Sequence, residues 1–144
     1  MGEITIQGIQ NGSDFAGTAE NDTVTVENSL VNSLSVLGGD DSISILDSNI
    51  SEIDLGLGSD TLKLASQLLD QINTFSDFDF DQISAGSGDD LFDLDPENIE
   101  GTEIQGGAGN DTLALAANVD ANVARAVTGS GDDIINIDAI AASM

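Results

Sequence analysis

The sequence predicts an all-β chain: a right-handed, parallel β-solenoid of about six coils, forming a single domain over residues 1–144. Three observations predict it. A ten-residue segment recurs six times, an aspartate holds the sixth place of every copy, and apolar residues alternate on either side of that aspartate. Self-similarity of this kind marks stacked supersecondary units, each unable to bury its apolar face alone.

The copies are GTAENDTVTV from Gly17, VLGGDDSISI from Val36, LGLGSDTLKL from Leu55, AGSGDDLFDL from Ala85, GGAGNDTLAL from Gly106 and TGSGDDIINI from Thr128. Their sixth positions are Asp22, Asp41, Asp60, Asp90, Asp111 and Asp133, spaced 19, 19, 30, 21 and 22 residues apart. After each aspartate comes an alternating pair: Val24/Val26, Ile43/Ile45, Leu62/Leu64, Phe92/Leu94, Leu113/Leu115 and Ile135/Ile137. A second alternating pair precedes the turn: Phe15/Gly17, Leu34/Val36, Ile53/Leu55, Ile83/Ala85, Ile104/Gly106 and Ala126/Thr128. Period-2 alternation is the mark of a half-buried strand. Each coil therefore reads as strand, glycine turn, strand, and a second turn of irregular length. Hairpins of an antiparallel sandwich would instead favour Asp-Gly or Asn-Gly turns. Here the glycines precede the acid, as G-x-G-x-D in the last four copies.

Composition narrows the function. The chain carries 27 acidic residues against Lys63 and Arg125, a formal net charge of −25, yet 40% of its residues are hydrophobic. That apolar content is too high for a disordered polyanion, while the charge opposes compaction. Bound cations are the simplest counter-charge. Two basic residues cannot furnish the positive face that nucleic acid requires, so no nucleic-acid partner is expected. No apolar run approaches the ~20 residues of a membrane span, so no membrane insertion is expected. There is no Cys, and hence no disulfide. The opening MGEITIQGIQ has neither the basic nor the apolar region of a secretory signal peptide.

The turn chemistry points to the cation. Calcium takes six to eight oxygen ligands, carboxylate and backbone carbonyl together, at ~2.3–2.6 Å. Glycine allows a turn to aim several carbonyls at one point, and Gly56/Gly58, Gly86/Gly88, Gly107/Gly109 and Gly129/Gly131 sit where this is needed, with Gly39 in the second copy. The aspartate two residues on returns its carboxylate to the same place. Turns stacked at ~4.8 Å would then bring two carboxylates and several carbonyls around each gap.

This pattern resembles the glycine-rich nonapeptide G-G-x-G-x-D-x-U-x of RTX proteins, a calcium-binding β-helix repeat. GGAGNDTLA, Gly106 to Ala114, matches it at every specified position, and the resemblance covers about residues 15–138. It implies a β-roll holding calcium between successive coils. The ligands would be Asp22, Asp41, Asp60, Asp90, Asp111 and Asp133, with carbonyls near Gly39, Gly56, Gly58, Gly86, Gly88, Gly107, Gly109, Gly129 and Gly131. It also implies export through a type I system and folding on contact with external calcium. RTX rolls usually carry two calcium turns per coil. Here the opposite side, from Glu27 to Ser33 and from Asp47 to Glu52, lacks the motif, so a single row of three to five ions is expected. Thr18 and Glu20 replace the glycines of the first copy and Leu37 the first glycine of the second, which weakens the site between those two. The gaps after Asp60, Asp90 and Asp111 are expected to hold ions most securely. Asp40, Asp89 and Asp132, at position 5, are expected to point outward as a solvated face.

An insertion, 65–82, interrupts the third interval. Leu68, Leu69 and Ile72 there suit a short helical turn, and Phe75, Phe78 and Phe80 make 75–81 either a flap on the solenoid or a patch for a protein or glycan partner. A bare solenoid end is a sheet edge that favours end-to-end self-association.

With no His, Cys or Tyr, His-based nucleophile pairs cannot form, and no enzyme is expected. The first expectation is a calcium-binding structural module, extracellular or on a cell surface, either alone or as part of a larger protein. The alternatives are an adhesin-like recognition module or a virion surface protein. Ice binding is disfavoured, because positions 3 and 5 carry no regular Thr/Asn array.

Overall fold

The computed structural model describes residues 2–65, 82–95, 103–115 and 125–137. Thirteen strands run through it in order: β1 Gly2–Gln7, β2 Ser13–Ala16, β3 Asp22–Glu27, β4 Leu30–Ser35, β5 Ser42–Leu46, β6 Asn49–Asp54, β7 Thr61–Ala65, β8 Gln82–Ser87, β9 Leu91–Asp95, β10 Glu103–Ala108, β11 Thr112–Leu115, β12 Arg125–Ser130 and β13 Ile134–Ile137. The odd strands form one seven-stranded sheet in sequence order, and the even strands form a six-stranded sheet. All neighbours pair in parallel. The chain thus crosses from one sheet to the other at every turn, the arrangement of a parallel β-solenoid. Among the described residues there is no helix. The expected helical turn and Phe loop of the insertion lie outside the described residues, as does the partner patch assigned to 75–81.

The alternating apolar pairs become columns. Val24, Ile43, Leu62, Phe92 and Leu113 pair in register from β3 to β11, with Ile135 of β13 as the last member. Across the interior, Leu34, Ile53, Ile83 and Ile104 form the matching column of the other sheet. Nearly all of these residues are sealed from solvent, and Phe92 is the largest of them. The core is therefore two facing stacks of mostly branched aliphatic side chains, which suit a pleated surface. The end of the stack is different. Ile135 is 49% exposed where its neighbour Leu113 is 2% exposed, because among the described strands none lies beyond β13.

The stack extends one strand further toward the N-terminus than the six aligned copies. β1 pairs with β3 from Gly2↔Asp22 to Gln7↔Glu27, placing Ile4 and Ile6 over Val24 and Val26. Its ITIQ echoes the VTVE of β3, but Gly2 stands where an aspartate would be.

The second turn has its own chemistry in the N-terminal coils. Asn28 and Asp47 adopt left-handed φ values of 48° and 47°, as does Gly8 at 68° in the equivalent place. Buried Ser29 and Ser48 follow them. The Ser29 hydroxyl accepts from Ile9 N–H at 3.2 Å and donates to Glu27 O at 2.8 Å. The Ser48 hydroxyl accepts from Ser29 N–H at 3.1 Å and donates to Leu46 O at 2.9 Å. A two-residue Asx-Ser unit therefore reverses the chain and satisfies its own buried polar atoms.

Truncation of Leu64, which is fully buried, to Ala should lower unfolding free energy by about 2–5 kcal/mol. Ser44→Ala, on the exposed face of the same sheet, should change it by less than about 0.5 kcal/mol. Denaturant unfolding of the two variants distinguishes these outcomes.

Candidate functional site

The glycine turns stack as closely as the strands. Gly39, Gly56, Gly58, Gly86, Gly88, Gly107, Gly109, Gly129 and Gly131 all have positive φ, from 90° to 143°. A Cβ on Gly88 would overlap the carbonyl oxygen of Gly58, and one on Gly109 or Gly131 would overlap that of the glycine one coil earlier. Two demands meet at these positions: a left-handed backbone and the close approach of the next coil. Leu37 takes φ 71° at the place of a glycine, whereas Thr18 and Glu20 stay outside the left-handed region.

Behind this turn the six aspartates form a ladder. Asp22 N–H donates to Asp41 Oδ1 at 2.6 Å, and Asp41 N–H to Asp60 Oδ1 at 2.8 Å. Asp60 N–H donates to Asp90 Oδ1 at 2.7 Å, Asp90 N–H to Asp111 Oδ1 at 3.1 Å, and Asp111 N–H to Asp133 Oδ1 at 3.0 Å. Each carboxylate thus reaches back and accepts from the coil before it. Asp22, Asp41, Asp60, Asp90 and Asp111 are all at most 3% exposed, and Asp133, in the last coil, is half-buried.

One oxygen per carboxylate is used this way. The other, Oδ2 of Asp41, Asp60, Asp90 and Asp111, is buried and has no hydrogen-bond partner. Buried polar atoms are almost always paired, so four such oxygens in one row demand a physical cause. Burial pushes the carboxyl of Asp60 up from 3.8 to about 7, with the charges of Asp90, Asp41 and Asp40 adding to the shift and the Asp41 N–H opposing it. Burial likewise pushes Asp90 up to about 6, with Asp111 and Asp89 adding to it. Asp41 and Asp111 rise for the same reason, burial first. Two like charges ~4.8 Å apart repel by about 3.5 kcal/mol at an effective dielectric constant of 20. A charge-assisted hydrogen bond returns about 1.5–3 kcal/mol. The ladder alone therefore does not stabilise a fully ionised row.

Asp22 is the exception. Its Oδ1 accepts from Gly2 N–H at 2.9 Å, and its Oδ2 accepts from both the N–H and the hydroxyl of Thr18, at 2.6 and 2.9 Å. The Thr18 N–H bond, more than any other contact, holds its carboxyl below the usual carboxylate range.

Position 5, a solvated face by its composition, carries a second ladder. Asp40 N–H donates to Asn21 Oδ1, Ser59 N–H to Asp40 Oδ1 and Asp89 N–H to Ser59 Oγ, at 3.0, 3.0 and 3.2 Å. Asn110 N–H donates to Asp89 Oδ1 and Asp132 N–H to Asn110 Oδ1, at 2.7 and 2.9 Å. These side chains are exposed, as expected, but each reaches forward to the following coil. The inner and outer ladders run in opposite directions. The signal was present: every residue at position 5 is a short side chain with an oxygen acceptor.

Among the described residues no three acidic, His or Cys side chains converge on one point. The acids arrive one per coil, so any cation here would need backbone oxygens as well. A cavity of about 10 Å³, room for about one water-sized sphere, lies beside Asp111 between Gly106, Phe92, Ile104 and Thr128. No protein-family model matches the chain, and comparison with curated proteins and with solved structures finds no match.

Two tests follow from this geometry. Gly88→Ala should destabilise the fold by more than about 3 kcal/mol, because strain and overlap with Gly58 add together. Gly8→Asn should cost less than about 1 kcal/mol, since nothing lies near its Cβ and Asn28 already occupies the equivalent place. Thermal unfolding of both variants decides the comparison. The second test concerns pH. In the metal-free protein the folded state binds more protons than the unfolded chain between 3.8 and about 7, through Asp60 and Asp90. Their contribution to stability is therefore full below about pH 4 and lost as pH rises through 6 to 7. Unfolding in chelator across this range should show that decline, and Asp60→Asn with Asp90→Asn should flatten it.

Proposed function

We propose that the chain is a calcium-stiffened structural module of the RTX type, working outside the cytoplasm, where calcium is plentiful. The observation that carries this reading is the row of four buried carboxylate oxygens without partners. A divalent cation supplies what they need: positive charge that does not have to be taken from a second side chain. The chemistry of the donors fits. Asp41, Asp60, Asp90 and Asp111 offer hard anionic oxygens, and in the stacked turns the backbone carbonyls of Gly56, Gly58, Gly86 and Gly88 lie against the glycines of the next coil. Hard oxygen donors of both kinds suit calcium, while imidazole and thiolate, which suit transition metals, do not occur in the chain.

Charge supports the same reading. A net charge of −25 opposes closure of the coils. Several divalent ions would relieve both the local row and the global excess. Binding only to the folded state then couples shape to calcium concentration. In a calcium-poor compartment the chain stays open, and outside it closes into a rod. Its role on this reading is mechanical: a spacer or surface-layer element whose stiffness is set by the ion.

Titration of calcium into the chelator-treated protein should raise the β-sheet circular-dichroism signal and release heat in calorimetry. Asp60→Asn keeps the ladder acceptor but removes the charge. At calcium 100-fold above Kd it should lose about 2.7 kcal/mol of calcium-dependent stabilisation. In chelator it should be at least as stable as the wild type. A flat dichroism trace and no heat up to millimolar calcium would reject the proposal.

A further inference from the structure

We infer that Thr18 is the residue that ends the metal row, filling the first turn with its own amide and hydroxyl in place of a cation; the inference rests on the calcium reading above. The aspartates fall into two classes. Asp41, Asp60, Asp90 and Asp111 each leave one buried oxygen unpartnered. Asp22, equally buried, leaves none, because the Thr18 N–H and hydroxyl both donate to the oxygen that stays bare elsewhere. The Thr18 hydroxyl is itself held by the turn, accepting from Glu20 N–H at 3.2 Å.

The difference traces to backbone as much as to side chain. At the same turn position Leu37, Gly56, Gly86, Gly107 and Gly129 all have positive φ, from 71° to 116°. Thr18 does not. A β-branched residue is heavily penalised in the left-handed region. Its amide therefore remains aimed at Asp22, where glycine would let the turn rotate it away. Gly2 completes the arrangement on the other oxygen, so the first coil closes without metal.

The consequence is a first coil whose packing is independent of calcium, with metal held beside the unpartnered oxygens of later coils. The row begins at Asp41, and its length is set by a single side chain upstream.

Native mass spectrometry of the calcium-loaded full chain tests this, comparing wild type, Thr18→Gly and Thr18→Ser. The Gly variant should load one ion more than wild type. The Ser variant, which keeps the hydroxyl, should load the wild-type number. In chelator, thermal unfolding should show a lower Tm for Thr18→Gly than for Thr18→Ser, since Asp22 loses a donor that no metal replaces. Equal, non-zero ion counts in all three proteins would overturn the inference while leaving the calcium reading intact. No bound ion in any of them would overturn both.

Discussion

The structure turns on one constraint: a buried aspartate in every coil from the second to the fifth, hydrogen-bonded through only one of its two oxygens. A hydrogen bond from the preceding coil positions each carboxylate, but the bond is too weak to offset the repulsion between successive charges. The row is therefore a strong specifier of geometry and, by itself, a poor source of stability. Buried charge of this kind is weak support for a fold unless something neutralises it. Everything on the glycine side of the solenoid is arranged around that debt, including the left-handed turns that let successive backbones approach.

Register is over-determined as a result. The inner ladder links each coil to the one before, and the outer ladder at position 5 links each coil to the one after. A slip of one residue would break both and turn the apolar columns to solvent. The serine turns add a third set of links in the N-terminal coils. Shape is thus specified by polar contacts at the corners, while the aliphatic columns between them supply the burial.

Much of this was legible in the residues. The six aspartates, the paired glycines of the last four copies and the alternating aliphatics recur in one fixed order, and that order translates directly into strands, turns and columns. Three features were less readable. β1 carries the alternation of a coil without its aspartate, because Gly2 stands in that place. The outer ladder is written in Asn, Asp and Ser interchangeably, so its identity lies in a shared acceptor atom and not in a residue type. Among the described residues the Asx-Ser turns appear twice, at Asn28-Ser29 and Asp47-Ser48, too few to stand out as a repeat. The special status of Asp22 was half visible: the missing glycines at positions 18 and 20 flagged the first turn, but only geometry shows that Thr18 supplies the donors itself.

The two edges of the solenoid obey different rules of length. On the glycine edge the step from the inner apolar residue to the aspartate is the same in every coil, as from Leu34 to Asp41 and from Ile104 to Asp111, whereas the stretch between an odd strand and the next even one ranges from the two residues after Glu27 to the sixteen between Ala65 and Gln82. The interstrand pairing on either side of that longest stretch keeps the same register as its neighbours. Lengthening a loop costs little, about 0.6 kcal/mol for each doubling. One flank of the rod is thus open to evolutionary grafting, able to accept new segments while the opposite flank keeps its spacing, and diversification can proceed without renegotiating the architecture that carries it.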